Sequence, residues 1–175
     1  MSVEVVFETH ATSEDNESGI ATGWLPGQLS PAGREQAREL GERRRDDGLS
    51  VVFTSDLRRA VEMAEIAFAG SSLPVIADER LRECDYGELN GTLEPLKDRD
   101  AHVDIQYPGG KSWRQAVERV AGFLDELRSQ RDGGRILVIG HGATRLGLEV
   151  LANGRQLEEV MAAAFVWQPG WKYVL

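Results

Sequence analysis

The sequence predicts a three-layer α/β/α sandwich, in which helices cover both faces of a mostly parallel central sheet. Short apolar runs alternate with amphipathic stretches long enough for helices of about 10 to 15 residues, which is the pattern of βαβ units. A chain of 175 residues can bury roughly 70% of its unfolded surface in one core. No internal repeat, linker or low-complexity tract divides it. We therefore predict a single domain over residues 1–175.

The strands are predicted from short apolar runs that polar or Gly-containing segments separate. They fall at residues 3–7, 50–54, 75–77 and 136–139, with a last strand ending the stretch 164–175. A polar loop over residues 11–29 follows the first strand. Residues 78–110 lose periodicity and contain several Pro and Gly, so we predict a functional loop region there, with room for a short helix.

Four longer helices are predicted from capping signals and apolar spacing. Ser30 before Pro31 places a capping hydroxyl ahead of a proline at the first helical position, so a helix begins there and runs to about residue 47. Ser112 and Gln115 form the capping-box pattern that opens another helix. Apolar residues at helical spacing predict the other two helices, over residues 57–68 and 144–153.

Bulk composition limits where the protein acts and what it binds. Apolar residues make up 41% and charged residues 28% of the chain, as in ordinary water-soluble domains. No apolar run approaches the roughly 20 residues of a membrane span, and residues 1–12 lack a signal-peptide pattern, so we expect a cytoplasmic protein without membrane contact. The net charge of −9 argues against nucleic acid as a partner, and a bound anion would need a local cluster of cations.

Cysteine usage limits the metal and redox chemistry. Cys84 is the only cysteine, which excludes an internal disulfide. The sequence has no CxxC pair and no His/Cys cluster at ligand spacing, so we expect neither a metal site nor a cofactor. The oligomeric state stays open.

Two of the three histidines stand where predicted strands end. The stretch VVFETHATSEDNE carries His10 after one apolar run, and RILVIGHGATR carries His141 after another. In parallel sheets ligands bind outside the carboxyl ends of the strands, so both rings belong on that rim. A lone histidine there more often hydrogen-bonds the backbone than performs chemistry. The glycines on both sides of His141 let a ligand approach closely, which favours the functional interpretation.

Arg58 and Arg59 lie in the first turn of a predicted helix, within TSDLRRAVEMA, where Ser55 or Asp56 is expected to cap it. Cations at a helix N-terminus oppose the helix dipole, so the pair needs another reason to be there. A bound anion would supply that reason. The alternative is a solvated helix face, on which arginine pairs are common.

Glu83 is the candidate acid in ERLRECDYGELNG, ahead of a Gly-punctuated loop. A carboxylic acid beside a phosphate would hold its proton more tightly, which suits a general acid that protonates a leaving oxygen. The alternative is a surface ion pair of Glu83 with Arg80 or Arg82.

The order of these motifs resembles the histidine phosphatase superfamily, whose members are phosphoglycerate mutase-like. The matching segments cover almost the full chain and comprise the strand-end histidine, Asn16, GW, LSPAGREQAREL, SDLRRA, LRECDYGELNG, YPGGKSW and GHG. The resemblance implies the phosphoglycerate mutase-like fold and a phosphohistidine mechanism that needs no metal. Carried over by position, it implies His10 as the phosphate acceptor, His141 as its phosphate-pocket partner and Glu83 as acid and base. It also implies that Arg59 and Asn16 bind the phosphate.

Position 9 departs from the family pattern. The family's Arg-His-Gly reads Thr9-His10-Ala11 here, so a hydroxyl replaces a bidentate arginine in the substrate-binding site. A hydrogen bond to a charged group contributes about 1.5 to 3 kcal/mol, and an arginine on a phosphoryl transition state can supply about 10³-fold or more in rate. We therefore expect reduced activity.

Two other departures suggest a compensating cation. Glu8 occupies a strand position that is usually apolar in the family, and Lys111 stands where PGGxS commonly carries an acid. We hypothesise that Lys111 binds substrate in place of the missing arginine, or pairs with Glu8 beside the pocket. Arg82 and Arg145 are weaker candidates for the same task.

The family contains both mutases and phosphatases. The segment between Glu83 and His141 is short beside that of the mutases, whose longer insertion encloses a bisphosphate and excludes water. An open pocket favours hydrolysis, so we expect a phosphomonoesterase acting on a small or medium phosphate ester. The alternative is a catalytically weakened regulatory module that binds phosphate or a phosphoprotein. Thr9 favours that alternative, whereas retention of Glu83 argues against it, because binding alone needs no proton donor.

Overall fold

The computed structural model describes residues 2–130 and 133–175 and confirms the predicted architecture. Its strands form one sheet in the order β3-β2-β4-β1-β5. They span Glu4–Thr9 (β1), Val51–Thr54 (β2), Val75–Ala77 (β3), Arg135–Gly140 (β4) and Trp171–Val174 (β5). The first four run parallel to their neighbours, and β5 runs antiparallel to β1.

Two helices of the described residues, those after Ser30 and Ser112, begin where their capping signals predict. The helices span Glu14–Glu17 (α1), Pro31–Arg44 (α2), Arg58–Ala67 (α3), Glu94–Lys97 (α4), Trp113–Gln130 (α5), Gly142–Leu151 (α6) and Leu157–Ala162 (α7). The Ser30 hydroxyl accepts from the N–H of Gly33 at 3.1 Å. At the start of α5, Ser112 N–H donates to Gln115 Oε1 at 3.0 Å, and Gln115 N–H donates to Ser112 Oγ at 3.2 Å.

Two helix boundaries differ from the prediction. α2 ends at Arg44 rather than near residue 47, because the next turn tightens, with Asp47 N–H donating to the Arg44 carbonyl at 3.2 Å. The N-cap of α3 is Leu57, not Ser55 or Asp56. The Ser55 hydroxyl instead accepts from Leu57 N–H at 3.2 Å and fixes the turn before the helix.

The loop region predicted between β3 and α5 is largely irregular. It contains α4 and three short 3₁₀ segments, at Glu79–Leu81, Gly87–Leu89 and Arg99–His102. Among residues 2–130 and 133–175, no helix combines the length and the apolarity that crossing a bilayer requires.

β1 alternates its side chains between the two helical layers. Val5 and Phe7 pack with α5 and α6, whereas Val6 packs with α2 and α3. Because successive strand residues point to opposite faces, Glu8 is directed toward α2 and Thr9 toward α6. The two residues that depart from the family pattern therefore serve different faces of the sheet.

The central pair of strands brings the two histidines together. β1 and β4 are neighbours, with Thr9 opposite Gly140 in the register. The N–H of His10 continues the ladder and donates to the Gly140 carbonyl at 2.9 Å. His10 and His141 thus leave adjacent strands at the same edge of the sheet.

Candidate active site

His10 and His141 lie side by side at the carboxyl ends of β1 and β4, with ring centroids 5.0 Å apart. Nδ1 of His10 lies 2.7 Å from the Ala11 carbonyl oxygen, so we assign the proton to Nδ1 as the donor of this bond. Nε2 of His10 then carries the lone pair. It accepts a hydrogen bond from Arg59 Nε at 3.3 Å.

Both imidazole rings are neutral near pH 7. Burial, followed by the charge of Arg59, lowers the pKa of His10 to about 3. The same two causes hold the pKa of His141 well below its usual value. The His141 residue is 1% exposed, and neither of its ring nitrogens has a partner among the described residues. A buried ring in this state can hydrogen-bond an oxyanion held between the histidines.

Arg59 supplies the cation beside this pair. Arg59 is 2% exposed, and its Nη2 donates to the Gly23 carbonyl at 3.0 Å. Its Nη1 has no hydrogen-bond partner among the described residues. Gly23 has φ +58°, and a Cβ there would lie 1.8 Å from Asn90 Oδ1, so only glycine presents its carbonyl in this way. Arg58 is exposed and pairs with Glu65 at 3.3 Å. Arg59 therefore lies beside the histidine pair, whereas Arg58 lies on the solvated face of α3.

Glu83 lies at the N-terminus of α6, next to the histidines. One carboxylate oxygen accepts from Gly142 N–H at 3.2 Å, and the other accepts from Ala143 N–H and Cys84 N–H, both at 2.9 Å. The first N–H groups of a helix have no partner within the helix, and the helix dipole favours an anion there. The carboxyl group of Glu83 is thus held in a fixed orientation.

The alternative ion pairs of Glu83 are absent from the described residues, so that interpretation is wrong. Arg82 pairs with Asp56 at 2.6 Å, and Arg80 pairs with Asp78 at 2.6 Å. Each arginine therefore forms its charge-assisted hydrogen bonds with an aspartate instead of with Glu83.

The backbone at Glu83 is fixed by two side chains that sequence reasoning did not identify. Trp24 Nε1 donates to the Glu83 carbonyl at 2.8 Å, and Arg119 Nη2 donates to the same oxygen at 3.0 Å. The Arg119 guanidinium also lies 5.6 Å from the Trp24 ring centroid. These contacts join segments that are distant in sequence, so no local pattern signals them.

Asn16 lies in a smaller space next to His10. It closes a capping box for α1, because its Oδ1 accepts from Ser13 N–H at 3.0 Å and its own N–H donates to Ser13 Oγ at 3.1 Å. It lines a space of about 150 Å³ together with His10, Arg59 and Glu83. The predicted phosphate-binding residues at positions 10, 16 and 59 therefore share one space.

A larger cavity of about 670 Å³ opens outward from the histidine pair, within the size range of small-molecule sites. Thr9, His10, Glu83 and His141 lie at its base, and its outer walls include Arg43, Leu96, Arg99, Arg145, Phe165 and Trp167. Within the described part of the chain, no group of three or more His, Cys, Asp or Glu side chains could hold a metal ion.

The hypothesis that Lys111 pairs with Glu8 is wrong. Glu8 is 2% exposed and binds Arg44 Nη2 at 2.6 Å and Arg43 Nη2 at 3.2 Å. Lys111 is exposed and lines neither of the two cavities that contain His10. Arg43 and Arg44 lie in the last turn of α2, where cations commonly interact with the helix dipole. Their position in the sequence therefore does not indicate that they bind a buried glutamate.

Two cations on the cavity wall have aromatic partners and no carboxylate partner among the described residues. The Arg145 guanidinium lies 5.5 Å from the ring centroid of Phe165 and 5.9 Å from that of Trp171. Arg99 lies 4.5 Å from the ring centroid of Trp113. Arg145 was a weaker candidate from sequence, and Arg99 was missed because it lies in the irregular region.

Comparisons with known proteins agree with this geometry. A family model described as histidine phosphatase superfamily (branch 1) matches residues 5–164. A curated 2,3-bisphosphoglycerate-dependent phosphoglycerate mutase from Parvibaculum lavamentivorans is 31% identical over 175 aligned positions, which cover 90% of this chain and 83% of that protein.

Solved structures share the fold. YhfR from Bacillus stearothermophilus has a TM-score of 0.84 at 23% identity, covering 95% of this chain and 88% of that one. A mycobacterial glucosyl-3-phosphoglycerate phosphatase in complex with VO3 has a TM-score of 0.78 at 23% identity, covering 93% and 87%.

Proposed function

The chain belongs to the histidine phosphatase superfamily, and we propose that it is a phosphomonoesterase that forms a phosphohistidine on His10. The observation that carries this proposal is the lone pair of His10 Nε2. That nitrogen is unprotonated, oriented by the Nδ1 hydrogen bond to Ala11, and placed beside His141 and Arg59. An oriented neutral imidazole is a competent nucleophile toward phosphorus.

In the first step, His10 Nε2 forms a bond to phosphorus while the bond from phosphorus to the leaving oxygen breaks. Glu83 acts as the general acid and gives a proton to that oxygen, so an alcohol leaves. The His141 ring and Arg59 Nη1 would hold the equatorial oxygens, because both lack protein partners in the described part of the chain.

In the second step, a water attacks the phosphohistidine, and the Glu83 carboxylate accepts the water's proton. The bond from nitrogen to phosphorus breaks, inorganic phosphate leaves, and His10 and Glu83 return to their starting states. No external reactant other than water is needed.

Hydrolysis rather than mutase transfer is supported by chain length and cavity shape. The alignment with the Parvibaculum lavamentivorans mutase is 175 positions long but includes only 90% of this 175-residue chain. The remaining alignment positions are therefore gaps in this chain. The mutase therefore has residues within the aligned region that this chain lacks. The cavity mouth carries exposed side chains, including Leu96 and Trp167, so water can reach the base.

A regulatory module that binds phosphate without turnover is the second candidate, and Thr9 is the observation that favours it. Thr9 lines the cavity where the family carries an arginine. Such a module needs anion contacts but no acid, whereas here Glu83 is fixed by three N–H donors beside the nucleophile.

Hydrolysis of para-nitrophenyl phosphate between pH 5 and 8 tests the proposal. We expect turnover by the wild type, a loss of at least about 10³-fold in His10→Ala, and unchanged activity in the control Arg58→Ala. A wild type that releases no phosphate but melts at a higher temperature with millimolar phosphate would support the binding module. Interconversion of phosphoglycerates without phosphate release would instead identify a mutase.

A further inference from the structure

We propose that the leaving group of the substrate is planar and largely apolar, such as an aryl or heteroaryl alcohol, and that Trp167 and Leu96 bind it. This inference rests on the proposed phosphomonoesterase activity and specifies its substrate class. Three observations support it: apolar side chains line the cavity mouth, the segment before β5 is anchored by hydrogen bonding, and the Trp167 ring contacts no other ring among the described residues.

Large apolar side chains gather at the mouth although they face water. Leu96 is 58% exposed, Phe165 is 53% exposed and Trp167 is 59% exposed, and all three line the cavity whose base holds the histidine pair. They come from two segments, α4 and the stretch between α7 and β5. Apolar surface collected in a cleft next to a reactive group is typical of a binding site for an apolar ligand.

The segment that carries Trp167 is anchored immediately after it. Arg44 Nη2 donates to the Pro169 carbonyl at 3.1 Å. A Cβ at Gly170 would lie 2.2 Å from that Nη2, so glycine lets the guanidinium pass. Glu8 holds Arg44 from the other side at 2.6 Å. The buried glutamate of β1 therefore fixes the position of the aromatic wall.

The two aromatic residues of this segment differ in their partners. Phe165 packs against the Trp171 ring, with centroids 6.0 Å apart, and lies 5.5 Å from the Arg145 guanidinium. Trp167 makes no ring contact within the described residues, and it lines the cavity with most of its side chain exposed. An indole face held in place by an anchored backbone can stack on a planar group with little loss of conformational freedom.

The test compares one planar and one small aliphatic ester in matched variants. For 1-naphthyl phosphate, we expect Trp167→Ala to raise KM about tenfold with kcat nearly unchanged, because the stacking is made in both ground and transition states. For glycerol 2-phosphate, the same variant should stay within about twofold of wild type. Val166→Ala is the control, since Val166 is 73% exposed and does not line the cavity.

A second pair of variants tests the part of the cavity wall that α4 supplies. Leu96→Ala should raise KM for 1-naphthyl phosphate several-fold, whereas Leu93→Ala, which removes an exposed leucine outside the cavity, should not. Equal changes for both esters, or none, in Trp167→Ala and Leu96→Ala would overturn the inference while leaving the phosphomonoesterase proposal intact.

A wild type that hydrolyses neither ester would contradict the proposed function. In that case calorimetric binding of 1-naphthyl phosphate to His10→Ala decides the inference separately. Weaker binding in the double variant with Trp167→Ala supports the apolar wall, and equal binding overturns it.

Discussion

The base and the mouth of the main cavity are built in different ways. At the base, His10 and His141 follow strand ends, and Glu83 lies at a helix N-terminus. The His10 ring and the Glu83 carboxylate hydrogen-bond backbone groups. At the mouth, side chains come from the last turn of α2, the irregular region before α5 and the segment before β5. Rigid elements thus position the reacting groups, and loops shape the surroundings.

Residues that match the family pattern and residues that depart from it can both be located in this cavity. The motif residues His10, Glu83 and His141 lie at the base, and so does Thr9. Glu8, the other departure in β1, is connected to the mouth through Arg44. The proposed chemistry and the proposed recognition of the leaving group therefore belong to different parts of the cavity.

The largest expected effect is at the base. Replacing Arg59 with Met should lower kcat/KM for para-nitrophenyl phosphate by about 10³-fold, because a buried cation beside His10 would stabilise the transferring phosphoryl group. Steady-state kinetics checks this, with Arg58→Met as the exposed control. A loss below tenfold would remove Arg59 from the proposed machinery.

The next effect is on stability at the mouth. Arg44→Met leaves the buried Glu8 carboxylate with Arg43 alone, so we expect the free energy of unfolding to fall by about 3 kcal/mol in urea titrations. Arg38→Met, which breaks an exposed pair with Glu35, should change it by less than about 0.5 kcal/mol. Similar values for the two variants would show that the Glu8 network does not anchor this region.

A gain is expected where the two regions meet. Thr9→Arg should raise kcat/KM by about 10- to 100-fold, because the new guanidinium would enter the cavity and bind the phosphoryl oxygens. Thr9→Lys should gain less, since an ammonium lacks the bidentate geometry. Unchanged kinetics in both variants would indicate that the wall arginines already supply this charge.

The last effect is a pH dependence of stability. The folded-state pKa of His10, about 3, lies below its ordinary value of 6.5, so the unfolded chain binds more protons between these values. The contribution of neutral His10 to the free energy of unfolding is complete above about pH 6.5. It declines as the pH falls toward 3, by up to about 1.4 kcal/mol per pH unit. His10→Gln should reduce the slope of the unfolding free energy measured between pH 7 and 5, and the slope that remains should come from His141, whose pKa is also lowered.

The sequence was most informative where the geometry is set by local rules. His10 and His141 could be placed on one rim, because parallel strands end at the same edge, and the caps at Ser30 and Ser112 follow from short patterns. The motif order added Arg59 and Glu83. These predictions depend on backbone regularity, which neighbouring residues determine.

Contacts between distant segments could not be predicted. Glu8 and Arg44 are separated by 36 positions, and Arg44 and Pro169 by 125, so only the folded chain reveals the network. Lys111 carries the obvious compensating charge in its motif, but it is exposed and lines neither cavity that contains His10. The cytoplasmic location, the absence of nucleic-acid partners and the single domain stay predictions.

The central claim is that His10 is the phosphate acceptor. The most direct measurement is a rapid alkaline quench during turnover of para-nitrophenyl phosphate, followed by mass spectrometry of the peptides. We predict an acid-labile phosphoryl group on His10 that is absent from His10→Ala. Turnover without this adduct, or an adduct that persists in His10→Ala, would contradict the claim.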